Sequence, residues 1–87
     1  MTADVIKLTI RQFLMKQLLP LVSIEGLGDS DSFLEKGILD STGVLELVGY
    51  IESNFGIRVE AEEIIPDNLD SLNRLSTFVL TKQKIAN

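Results

Sequence analysis

Val5, Ile6, Ile10, Phe13, Leu14 and Leu18 recur in steps of three and four, which predicts one face of a helix over Thr2–Leu19. Leu8, Met15 and Leu19 widen that stripe. Pro20 predicts its end, because a proline disfavours helical geometry at the residue before it. The rhythm then breaks over residues 21–39. Gly26, Gly28, Asp29, Ser30, Asp31 and Ser32 are turn formers, yet Leu21, Val22, Ile24, Leu27, Phe33, Leu34, Ile38 and Leu39 are too apolar for a disordered linker. This segment reads as a long loop pinned to the core, with one helical turn at Ser32–Glu35. Loops of this length are uncommon in compact domains and tend to be functional.

Periodicity returns at Val44, Leu47, Val48, Ile51 and Phe55, predicting a second helix from Asp40–Ser41 to Asn54. Either Asp40 or Ser41 can cap its start, and Gly56 suits a left-handed stop. Ile57–Val59 has no partner strand and reads as coil. Ala61–Ile65 predicts a turn or two of helix stopped by Pro66. A last helix is expected over Leu69–Lys82, capped by Asn68 or Asp70, with Leu72, Leu75, Phe78 and Val79 inward and Lys82 and Lys84 suiting its C-terminal dipole. The expected fold class is all-α: a small four-helix bundle with three long helices, one short one, and a long loop between the first two. The expected organisation is a single domain over residues 1–87.

Composition removes several function classes. The 87 residues contain no cysteine and no histidine. Disulfides and thiolate metal sites are therefore excluded, as is the commonest general base near neutral pH. An apolar content of 45% must supply the core unaided. The N-terminal apolar residues are interrupted by Lys7, Thr9, Arg11 and Gln12, unlike a signal peptide. No apolar run is long enough to span a membrane. A cytoplasmic protein without membrane insertion is expected.

Charge is unevenly placed. Residues 24–70 hold twelve acids against Lys36 and Arg58, a net −10, whereas the two ends together carry +5. Such a field repels nucleic acid and attracts proteins with basic patches. Glu62 and Glu63 invite a metal reading, but adjacent acids in a helical turn are ordinarily solvated, and no metal is expected.

The stretch with chemical content is Gly37 to Val48. It sets Ser41 in the first turn of an acidic amphipathic helix, directly after the apolar-anchored loop. A hydroxyl there is fixed and reachable, and the helix N-terminus favours a phosphate ester. Nothing in the chain can activate this serine: His and Cys are absent, and the nearest lysine, Lys36, lies in the loop. No nucleophile–base pair can be assembled, so the chain is not expected to be an enzyme. Any chemistry at Ser41 must be done by another protein.

Leu39-Asp40-Ser41, followed by Val44, Glu46, Leu47 and Val48, resembles the phosphopantetheine attachment motif of the acyl carrier proteins. The similarity extends through the order of helices to Pro66-Asp67-Asn68-Leu69-Asp70-Ser71-Leu72 before the last of them. The resemblance implies the acyl-carrier type of bundle, expected here as a monomer. It implies that a phosphopantetheinyl transferase moves 4'-phosphopantetheine from coenzyme A to Ser41, with Asp40 assisting the Mg²⁺-dependent step. An acyl, aminoacyl or aryl group would then be held as a thioester. It further implies presentation to an acyl- or aminoacyl-activating ligase and to acyltransferases with basic surfaces. Thr42, Glu46, Glu52, Glu62 and Glu63 are the expected partner-facing residues. Stripe residues such as Val44, Leu47 and Leu75 become candidates for an acyl cavity, as do Phe33 and Tyr50.

Thr42 and Gly43 depart from the leucine and acidic residue found after the serine in many fatty-acid-synthase carriers. They look more like discrete carriers served by dedicated activating enzymes. That favours a dedicated lipid or secondary-metabolite pathway over housekeeping fatty-acid synthesis. The alternative from a different class is an acidic helical adaptor that never bears a prosthetic group.

Overall fold

The computed structural model describes residues 2–18 and 26–86. The expectations for Leu19, Pro20, Leu21, Val22 and Ile24 lie outside the described residues. Four helices follow in order: α1 (Ala3–Leu18), α2 (Ser41–Phe55), α3 (Pro66–Leu69) and α4 (Leu72–Ala86). A 3₁₀ turn at Ala61–Glu63 precedes α3, and Ile57–Val59 is coil as expected. Among the described residues there is no strand, and no helix is long and apolar enough to cross a membrane.

The buried face of α1 is narrower than its sequence stripe. Ile6, Ile10 and Leu14 lie on one line at four-residue spacing and are wholly buried, packing toward α4. Leu8 and Met15, expected to widen the stripe, are 56% and 44% exposed, and Val5, expected within it, is 48% exposed. One row of branched side chains fills this contact, and its flank is taken by Lys7 and Arg11. Both reach Asp29, at 3.3 and 3.2 Å, and so fasten the long loop to α1.

The core closes on α2 and α4. Leu47, Val48, Ile51 and Phe55 of α2 are buried together with Leu72, Leu75, Phe78 and Val79 of α4. Each contributes roughly 1.5–3 kcal/mol through removal of apolar surface from water. Gly56 ends α2 at φ +66°, its N–H donating to the Glu52 carbonyl at 3.0 Å. The Glu52 carboxylate then turns back to accept the Val59 N–H at 2.9 Å, holding the returning chain.

The second half departs from expectation at one junction. Pro66 does not merely stop the preceding turn. It occupies the first position of α3, where its missing N–H costs nothing and its fixed φ suits a helix. α4 begins at Leu72 rather than Leu69, because the chain bends at Asp70–Ser71. Asp70 closes α3, its N–H donating to the Pro66 carbonyl at 3.0 Å. Ser71, not Asn68 or Asp70, caps α4: its buried Oγ accepts the Arg74 N–H at 3.0 Å.

Lys82 of α4 donates to Glu63 Oε1 at 2.8 Å, and the Glu60 N–H donates to the same oxygen at 2.9 Å. The Lys82 hydrogen bond first, and then the Glu60 N–H, hold the Glu63 carboxyl below its ordinary value of 4.5 against a desolvation cost. A carboxyl depressed on folding stabilises the fold above its unfolded pKa and loses that contribution as pH falls through the folded value. The stability gap between wild type and Glu63→Gln, read from urea titrations, is therefore expected to be constant above about pH 5 and to shrink on further acidification. A gap that is the same at pH 3 as at pH 7 would contradict this linkage.

Candidate functional site

The loop delivers the chain to α2 under tight control. Phe33 is buried, and the turn after it is closed by Gly37 N–H to the Leu34 carbonyl (3.2 Å) and Ile38 N–H to the Phe33 carbonyl (2.8 Å). Gly37 takes φ +69° to make that turn. Ile38 and Leu39 follow, both buried, so the residues just before α2 are anchored in the core. The expected helical turn at Ser32–Glu35 is found as a turn over residues 33–37.

Asp40, in an extended conformation, is the cap of α2. Its Oδ1 accepts the Gly43 N–H at 2.8 Å, while its carbonyl accepts the Val44 N–H at 2.9 Å. Ser41 is consequently the first residue inside the helix. It is exposed, and its hydroxyl makes no hydrogen bond to the other described residues. The Ser41 and Thr42 N–H groups have no acceptor within the helix, as at any helix start. Gly43 has a local reason to be glycine: an added Cβ would stand 3.1 Å from Leu39 Cδ2 and 3.4 Å from Asp40 Oδ1. The closely wound first turn keeps Leu39 inward and the Asp40 cap in reach. Asp40→Ala is expected to cost about 1 kcal/mol, the value of an N-cap, seen as a lowered midpoint in urea or heat. An unchanged midpoint would count against the cap.

Ser41 opens onto an apolar groove of about 340 Å³. Three separate segments wall it: Phe33 and Leu34 of the loop, Val44 and Leu45 of α2, and Ile64, Ile65, Pro66 and Leu69 around α3, with Asp70 at one side. Leu34, Leu45 and Ile65 are 48%, 61% and 42% exposed, so apolar surface lies around the serine. Of the cavity candidates, Val44 and Phe33 line this groove. Leu47 and Leu75 are filled core, and Tyr50 lies elsewhere, stacked on Phe13 with ring centroids 4.2 Å apart.

Residues 9–79 match the protein family described as the phosphopantetheine attachment site. The chain belongs to that family. No curated protein matches it. It is thus a phosphopantetheine-bearing carrier protein, and its cofactor is covalently bound 4'-phosphopantetheine. The local chemistry fits such a group: an exposed hydroxyl released from capping, N–H groups without an acceptor in the helix and a positive helix end for a phosphate diester, and an open apolar groove beside it.

The residues anticipated as partner-facing in this carrier, four acids and Thr42, fall into two sets. Glu46, Glu62 and Thr42 are exposed. Glu52 and Glu63 are half-buried and already accept internal hydrogen bonds from Val59 and from Lys82 and Glu60. The groove residues that sequence reasoning did not single out include Leu34, Leu45, Ile65 and Asp70. Leu45 carried a signal, since it lies off the Val44–Leu47–Val48–Ile51 stripe and so had to face outward. Asp70 carried none.

Proposed function

We propose that Ser41 is the attachment point, loaded in trans by a phosphopantetheinyl transferase using coenzyme A. The observation that carries this reading is the division of labour at the start of α2: Asp40 does the capping, which leaves the Ser41 hydroxyl exposed and, among the described residues, uncommitted. Asp40 assists the transfer through its second carboxylate oxygen, since Oδ1 is held by Gly43. The bound arm supplies a terminal thiol, on which an acyl or aminoacyl group is held as a thioester. The chain's own residues position the attachment point and display the surface around it. Lacking His and Cys, they supply no catalytic pair, so the carrier acts as a presented substrate and not as an enzyme.

The partners are then the transferase, an acyl- or aminoacyl-activating ligase, and acyltransferases. Exposed Glu46 on α2, with Glu62 nearby in sequence to the groove wall at Ile64–Ile65, favours partners with basic surfaces, and Thr42 adds an exposed polar contact beside the serine. Glu52 and Glu63 contribute less to such contacts because their carboxylates are engaged internally. A dedicated pathway is favoured by Thr42 and Gly43, although the packing of Gly43 against Leu39 is a structural reason for glycine independent of pathway. The chain works as one monomeric carrier domain in the cytoplasm on this reading.

The experiment is co-expression with a broadly acting phosphopantetheinyl transferase followed by intact-mass measurement. A gain of one phosphopantetheine is expected. No gain would favour the adaptor, which binds partners through its acidic helix and carries nothing.

A further inference from the structure

The two walls of the groove that flank Ser41 come from distant parts of the chain, and one residue joins them. Asp70 Oδ1 accepts the Leu34 N–H at 2.9 Å, and its Oδ2 accepts the Ser32 hydroxyl. The Asp70 carbonyl accepts the Phe33 N–H at 3.3 Å, and its own N–H closes α3 on the Pro66 carbonyl at 3.0 Å. Ser32 Oγ in turn accepts the Glu35 N–H at 3.1 Å. Three consecutive loop residues are therefore tied to a single residue at the α3–α4 bend, and that residue itself lines the groove with Ser41. The loop has another fastening, in which Asp29 meets Lys7 and Arg11 and its carbonyl accepts the Asn73 N–H at 2.9 Å. None of those residues lines the groove.

We propose that Asp70 is a positioning residue of the Ser41 site: it clamps the Ser32–Leu34 wall to α3 and so holds the apolar rim around the serine in a docking-ready arrangement. The inference rests on the carrier reading with Ser41 as attachment point. Phe33 is secured by burial, but Leu34 beside it is 48% exposed and gains little from the core. Its position is set by backbone bonds, and the bond to Asp70 Oδ1 is the one that orients it toward α3. A protein whose active site reaches Ser41 Oγ must cover this rim. Side chains already fixed there spare it the cost of ordering them on association. Ser41 itself is held by α2 and the Asp40 cap, which the clamp does not touch.

Two measurements on the full chain test this. Amide hydrogen exchange of Asp70→Ala is expected to be at least about tenfold faster at Leu34, the equivalent of one hydrogen bond to a charged acceptor, with a smaller increase at Phe33, whose bond to the Asp70 carbonyl is retained, and with Leu47–Ile51 of α2 unchanged. Transferase loading kinetics are expected to show KM for the carrier raised about two- to tenfold with kcat retained. Asp70→Asn keeps an acceptor for Leu34 and is expected to fall between wild type and Asp70→Ala in both. Ser32→Ala, which removes one strand of the clamp, gives the same pattern in weaker form should Asp70→Ala fail to fold. Faster exchange with an unchanged KM would overturn the positioning role, as would a loss confined to kcat or a uniform acceleration of exchange throughout the molecule. Wild type that no transferase loads would instead overturn the carrier reading, and this inference with it.

Discussion

Ser41→Ala is expected to abolish loading completely, with no mass gain after co-expression with a transferase, while the melting temperature stays where it was. The two halves of this expectation have separate origins. Loss of loading follows from the proposed chemistry, since the methyl group left behind offers no oxygen for the phosphate ester. Thr42 presents a hydroxyl one residue later, but it lies about 100° further round the helix and is a secondary alcohol, so it is not expected to substitute. Preserved stability follows from the cap. Were Ser41 the N-cap, its removal would cost about 1 kcal/mol, or roughly 4–8 °C in a domain of this size. Because Asp40 accepts the Gly43 N–H at 2.8 Å, that cost is assigned to Asp40→Ala instead. The thermal melt therefore separates the two variants: Ser41→Ala loses loading at an unchanged melting temperature, whereas Asp40→Ala lowers the melting temperature and, through its assisting role, slows loading as well. A mass gain that survives Ser41→Ala would remove Ser41 from the site.

The helices were legible in the sequence wherever a local cause determines them. α2 was readable because Val44, Leu47, Val48, Ile51 and Phe55 share a face and Gly56 can adopt the left-handed stop that it does adopt at φ +66°. The α3–α4 boundary was not. Pro66 to Leu72 contains several acceptable caps, and what selects among them is the carboxylate of Asp70, drawn to Ser32 and Leu34 across 38 and 36 residues of chain. No local propensity encodes that bond. The same limit applies to the acidic surface. Glu52 and Glu63 look like Glu46 and Glu62 in sequence, yet the returning chain gives Glu52 the Val59 N–H and α4 gives Glu63 the Lys82 ammonium. The serine and its helix start were visible because they are contiguous. The groove was hidden because loop, α2 and the α3 region each supply only part of its wall. Val5 shows the converse error, a residue in good period with the stripe that nonetheless faces outward, the wholly buried row of α1 being Ile6, Ile10 and Leu14.

Phe33→Ala is expected to bring the protein close to global unfolding, although Phe33 lies in the long loop and not in a helix. Its side chain is 1% exposed, among the largest fully buried groups in the molecule. Removing an aromatic ring from such a position costs about 3–5 kcal/mol, from lost transfer free energy and the cavity left behind. A domain of this size has a total stability of the order of 5–10 kcal/mol and no disulfide to reinforce it. The urea midpoint is therefore expected to fall by about a third or more, with an unfolded fraction detectable near 37 °C. Leu34→Ala, one residue further, is the control: its side chain is 48% exposed, and a stability change within about 0.5 kcal/mol is expected there. The contrast tests whether this part of the loop is a structural element in its own right. Two equal, small changes would mean that the loop merely rests on the bundle, and the groove beside Ser41 would then lack a fixed wall. A large loss at Phe33 alone would mean that the loop is anchored by one buried ring, with Leu34 left at the surface for the arm or a partner to meet.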